Sequence, residues 1–180
     1  MKKLICIFLF LYATHASAAS GDSWNFRFSP IGALLGMVNV EFDYKLSDNW
    51  TLGPTLTYWN FSLSGFSIKA SSYGAQSRYF FNGVFNDGAY LGLQAATMSI
   101  KATITSLGVE YSGESNGAVI GAGGGYHWFW DSFNMNVGGF LYSSPATKIE
   151  LKDSNGNKYD DQATSPVTGL GIEYTLGWTF

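Results

Sequence analysis

Few side chains in this 180-residue chain could do chemistry, and they stand far apart in the sequence. His127 lies between Tyr126 and Trp128, while the other histidine, His15, and the single cysteine, Cys6, fall within the first eighteen residues. A nucleophile and its base must converge in space, and one histidine does not specify a triad. Asp153, Asn155 and Asn157 have the one-three-five spacing of a calcium loop. Lys158 replaces the glycine expected at its sixth position and Thr164 the glutamate at its twelfth, so turn chemistry explains these residues better. No cofactor and no metal is expected.

More telling is the placing of the charges. In the stretch Asn39 to Leu46, Glu41, Asp43 and Lys45 alternate with Val40, Phe42, Tyr44 and Leu46. Residues two apart share one face of a strand. Arg27, Arg78 and Glu173 occupy the same phase of their own alternating stretches. Opposite charges brought to one narrow interior pair, because a lone buried charge is expensive. The expectation is a polar lumen network of Arg27, Glu41, Asp43, Arg78 and Glu173, with Lys45 beside it. Two readings stay open: a plug that ties the strands together, or the lining of a gated pore, in which Gly121, Gly123, Gly125, Gly138 and Gly171 leave room for water.

The elements that must position these residues are strands. Hydrophobic residues make up 46% of the chain and aromatics 17%, but charged residues only 13%, about half the share of an ordinary soluble domain. The greasy residues come in alternating doses, with 22 glycines and 4 prolines, and no long helical spacing. Eight runs stand out: Trp24 to Leu35, Asn39 to Leu46, Trp50 to Phe61, Ser72 to Phe81, Ala89 to Lys101, Ala118 to Phe129, Phe133 to Ser144, and Thr168 to Phe180. Short separators at Ser47 to Asn49, Asn82 to Gly88 and Trp130 to Ser132 alternate with longer ones at Ser62 to Ser71, Ala102 to Gly117 and Pro145 to Val167. Near Gly36 to Val38 the connection is short. In the last loop, Asn155-Gly156 between alternating segments signals a hairpin, a ribbon extending the last two runs.

Residues 1–18 read as a signal peptide: Lys2 and Lys3, a short apolar stretch from Leu4 to Ala13, and Ala16-Ser17-Ala18 as a cleavage site. That stretch is shorter than the roughly twenty apolar residues a spanning helix needs. Cleavage leaves residues 19–180 as one domain without cysteine, and makes the formal charge of −3 two units more negative. An acidic chain does not suit a nucleic-acid partner.

An even number of ten-residue strands, short turns on one rim and longer loops on the other match a bacterial outer-membrane barrel. Its apolar residues would face lipid and its polar ones the lumen, the reverse of a soluble sandwich or lipocalin-type barrel. Aromatics also gather by height. Trp24, Tyr44, Trp50, Tyr79, Trp128, Trp130 and Trp178 fall near the short turns, with Tyr58, Trp59, Phe61 and Tyr142 toward the opposite rim. The chain ends on the alternation "EYTLGWTF", in which Tyr174, Trp178 and Phe180 stand in one phase.

That ending, on an eight-run chain, resembles the small outer-membrane β-barrels of the OmpA/OmpX type over the whole mature length. Thr175 stands where those proteins favour glycine. The resemblance implies an all-β, eight-stranded antiparallel transmembrane up-and-down β-barrel. It also implies that Tyr174, Trp178 and Phe180 form a terminal signal read by the outer-membrane assembly machinery. The function expected is a non-enzymatic barrel with a plugged lumen, serving envelope structure or contacting an extracellular ligand through its loops. A small channel for ions or solutes is the first alternative. A lipid-modifying barrel enzyme is the second, although no serine stands two residues from His127, as in the lipid A deacylase barrels, and His127 sits at the wrong rim for an omptin-type protease.

Overall fold

The computed structural model describes residues 23–106, 109–145, 148–152, 158–163 and 166–180. The expected signal peptide, the Asn155-Gly156 turn and the Asp153, Asn155 and Asn157 spacing lie outside the described residues.

Eight antiparallel strands close into a barrel. They are β1 (Trp24–Phe28), β2 (Met37–Lys45), β3 (Trp50–Leu63), β4 (Phe66–Phe80), β5 (Gly88–Ser106), β6 (Val109–Trp130), β7 (Phe133–Ser144) and, last in the chain, β10 (Val167–Thr179). Each pairs with its sequence neighbour, and β10 closes the cylinder by pairing with both β7 and β1. Closure leaves the sheet no free edge where both partners run alongside. Between β7 and β10 a hairpin, β8 (Lys148–Lys152) and β9 (Lys158–Ala163), leans on β6 through Ser112↔Lys152 to Ser115↔Ile149.

Three sequence expectations need correction. The run Trp24 to Leu35 is not one strand, because β1 stops at Phe28 and a short helix, α1 (Pro30–Leu34), follows. Ser29 caps it, its hydroxyl accepting from Gly32 N at 3.2 Å, and Pro30 occupies the first turn, where a missing N–H costs nothing. The supposed loops Ser62 to Ser71 and Ala102 to Gly117 are mostly strand, paired up to Leu63↔Phe66 and Ser106↔Val109. Polar residues on both faces hide a strand from a hydrophobic pattern while its backbone ladder continues. Finally, β7 ends at Ser144, so the hairpin is a separate ribbon against β6 and not an extension of the last two strands.

Polarity is inverted. Among the described residues four apolar or aromatic side chains are buried, Phe80, Val84, Tyr90 and Phe140, against thirteen polar or charged ones. Leu52, Leu56, Leu91, Leu93, Ile120 and Leu141 are exposed on the outside. Outward aromatics pair across strands at the short-turn rim: Trp24 with Tyr44 at 4.7 Å, Trp50 with Tyr79 at 5.1 Å and Phe133 with Trp178 at 5.5 Å between ring centres. Trp59 and Tyr142, expected in an outer belt, border an internal cavity instead.

Glycines on β6 and β7 make the interior packing possible. A Cβ at Gly138 would lie 2.3 Å from the Tyr90 hydroxyl oxygen, whereas one at Gly169 would meet nothing within 4 Å. Gly138→Val is therefore expected to destabilise the fold by about 1–3 kcal/mol, an overpacking penalty, and Gly169→Val to leave the guanidinium unfolding midpoint unchanged. Equal midpoints for the two variants would contradict this packing.

Candidate functional site

The waist of the barrel is crossed by charge. Inward positions on β1, β2, β4 and β10 bring together Arg27, Glu41, Asp43, Arg78 and Glu173. Arg78 donates to Asp43 Oδ1 at 3.2 Å, to Glu41 Oε2 at 3.0 Å and to Glu173 Oε1 at 2.5 Å. Arg27 Nη2 stands 2.7 Å from Asp43 Oδ2 and 3.0 Å from Glu41 Oε2. Gln76 donates to Glu41 and Asp43 at 3.1 and 3.3 Å, and Tyr90 and Asn136 donate to Glu173. The Arg78 guanidinium also lies over the Tyr90 ring, 5.3 Å from its centre. Both arginines are fully buried, so these partners replace the water each has lost.

Lys45 is not in the cluster. It reaches Asp48 at 3.4 Å in the short turn after β2, where Asp48 is almost fully exposed.

Below the cluster the barrel is packed shut. Asn134 donates to Asn25 at 2.8 Å, and its Oδ1 lies 3.0 Å from His127 Nε2. His127 is enclosed by Phe80 and Phe129, with ring centres at 5.7 and 4.3 Å. The turn between β4 and β5 folds inward: Val84 is buried against Phe80, its N–H donates to Asp48 O at 2.7 Å, and Phe85 packs on Phe129 at 6.0 Å. Asp87 holds the turn by accepting from Phe129 N at 2.6 Å.

Above the cluster lies a cavity of about 740 Å³. Glu41, Gln94, Tyr142, Glu173 and Thr175 border it on the polar side, and Met37, Trp59, Met98 and Val119 contribute apolar surface. Tyr142 donates to Gln94 Oε1 at 3.2 Å, and Trp59 is pinned by donating to Leu35 O at 3.1 Å. The interior is thus a cup closed by charge and, beneath it, by aromatic packing. Among the described residues there is no group of three or more histidine, cysteine, aspartate or glutamate side chains able to hold a metal ion.

The family described as "Protein of unknown function (DUF3575)" matches residues 5–179. The chain belongs to that family. No curated protein and no solved structure matches it. Membership in DUF3575 therefore carries no activity to this chain, and its function has to be argued from the site.

All five charged residues singled out in the sequence meet in the waist of this DUF3575 barrel, while Tyr174, Trp178 and Phe180 lie outward on β10 and at the terminus. Sequence reasoning missed Gln76 and Tyr90. Gln76 shares the inward phase of its strand with Arg78, so its signal was present. Neutral polar residues and a tyrosine simply do not announce a partner as charges do.

Arg78→Met should cost about 3–5 kcal/mol, because it strands Glu41 and Glu173 without compensation. The double variant Arg78→Met, Glu173→Gln should recover part of that loss, and Lys45→Ala should leave the guanidinium midpoint where it is. A double variant no more stable than Arg78→Met would show that the cluster does not couple these residues.

Proposed function

We propose that this DUF3575 chain is an integral outer-membrane β-barrel, exported with cleavage of residues 1–18, whose polar lumen is plugged. The observation carrying the reading is inverted polarity: exposed leucine, isoleucine and aromatic side chains outside, and arginine, carboxylate, asparagine and histidine side chains buried inside. In water such a surface would be an aggregation hazard. In hydrocarbon it is the favourable one, and a closed sheet satisfies the backbone that lipid cannot. No helix among the described residues is long and apolar enough to cross a membrane.

In this reading the short turns and chain termini face the periplasm, and the β3–β4, β5–β6 and β8–β9 tips face outside. The barrel serves envelope structure or contacts an extracellular ligand through those tips, with outer-membrane lipids as its solvent and no nucleic acid as partner. Like the OmpA/OmpX-type barrels it resembles, it would present Tyr174, Trp178 and Phe180 to the assembly machinery. The charge cluster and the inturned Val84 support a plug over a channel. Enclosure of His127 by Asn134, Phe80 and Phe129 supports a packing role for it over lipid chemistry.

Cell fractionation is expected to place the mature chain in the outer membrane, with slower gel migration after boiling. A polypeptide that stays folded and dissolved without detergent would overturn the reading. In planar bilayers the wild type is expected to give no unitary conductance; discrete steps would replace the plug with a channel.

A further inference from the structure

The barrel wall is not uniformly paired. β10 pairs with β7 from Val167↔Ser144 to Trp178↔Phe133, but with β1 only from Phe28↔Leu176 to Asn25↔Thr179. β2 pairs with β1 from Val40 to Tyr44, and above that level only Ser29 N bonds across, to Asn39 O at 3.2 Å. Among the described residues no backbone hydrogen bond runs from Thr168 to Tyr174 toward α1 or β2. From Val167 to Thr175, at about 3.3 Å per residue, roughly 30 Å of strand edge lacks a partner strand on that side. Exposure agrees. Leu170 and Ile172 are 75% and 85% exposed, against 61% and 62% for Leu141 and Ile120 elsewhere on the outer surface, and Leu34 of α1, beside the gap, reaches 87%.

The cavity follows this gap. Along a fully paired wall only alternate residues face the interior. Here the cavity is bordered by every residue from Gly169 to Thr175, including the outward Leu170, Ile172 and Tyr174, and by Ser29 and Met37 on the far side of the gap. It therefore runs along the free edge of β10, beside which α1 packs. Unpaired backbone at membrane depth is tolerated where it borders a cavity.

The cavity's chemistry has two parts. Its volume is within the range of about 300–1,000 Å³ typical of small-molecule sites. Met37, Met98, Val119 and the pinned Trp59 offer an apolar wall. At its floor, Glu41 and Glu173 belong to a cluster of three carboxyls against two guanidiniums. Thr175, only 1% exposed, borders the cavity with its hydroxyl unpartnered.

We propose that this cavity binds a single-chain amphiphile with a primary ammonium head, taken in from the bilayer above the end of β1, between α1 and the unpaired edge of β10. The inference rests on the membrane reading above. The ammonium meets Glu41, Glu173 and the Thr175 hydroxyl, and the hydrocarbon chain lies along Met98 and Trp59 and out past Leu170.

The test uses the mature chain in lipid nanodiscs, a long-chain primary amine carrying a photoactivatable diazirine in its chain, and mass spectrometry of the adducts. Adducts are expected on Trp59 or Met98 inside the cavity and on Leu170 or Ile172 at the gap. The carboxylate twin of the probe should label the cavity about tenfold less, one decade of affinity. Gly169→Phe, placed where the structure leaves open space, should abolish cavity labelling while Leu93, Ile120 and Leu141 are still labelled by probe in the bilayer. Labelling of those outer residues alone in wild type overturns the site and keeps the membrane reading, whereas no labelling of them overturns the membrane reading itself. Cavity adducts without Leu170 or Ile172 overturn the route through the wall, and equal labelling by the carboxylate twin overturns the cationic head.

Discussion

Two guanidiniums held among three carboxyls at the waist of the barrel set the terms for the rest of the structure. Arg27 and Arg78 are fully buried, and a charge so placed is stable only if its partners come with it. Those partners arrive from β2 and β10, with Gln76 and Asn136 filling the acceptors that remain. Because the ions span β1, β2, β4 and β10, they tie together strands that are not all neighbours in the sheet. The cluster thus fixes which side of those strands is inside, and the opposite phase, leucine, isoleucine and aromatic, is left outside.

The two ends of the barrel differ for the same reason. Toward the short turns the lumen narrows onto Phe80, Tyr90, His127 and Phe140, and the β4–β5 turn sends Val84 inward to finish the seal. Glycines at β6 and β7 let Tyr90 and Phe140 lie against backbone, which is how eight strands accommodate such bulk. Toward the long tips Ser72, Ala96, Gly169 and Gly171 stand among Met37, Trp59 and Met98, and space opens above Glu41 and Glu173.

Closure and access pull against each other at the β1–β10 seam. A barrel in hydrocarbon is stable because every strand edge is paired, yet β1 ends after five residues, and α1 stands where its upper half would run. Pro30 enforces this, since it cannot donate to the ladder that a continued β1 would need. The upper edge of β10 is left facing a cavity with an acidic floor and an apolar wall, which is the geometry behind the proposed amphiphile site.

The sequence by itself determined the strand count of the cylinder, the phase of the strands that carry charge and the five charges of its interior, because period-two alternation is local and survives without any knowledge of neighbours. Ser29-Pro30 also held the signal for α1, but the apolar run through Leu35 masked it. Closure and the end of pairing at the seam depend on contacts between residues far apart in the chain, such as Asn25 and Thr179. Only the tertiary structure therefore decided that Tyr90 would meet Glu173, that Lys45 would leave the cluster for Asp48, that Trp59 would turn inward, and that β10 would keep one edge unpaired.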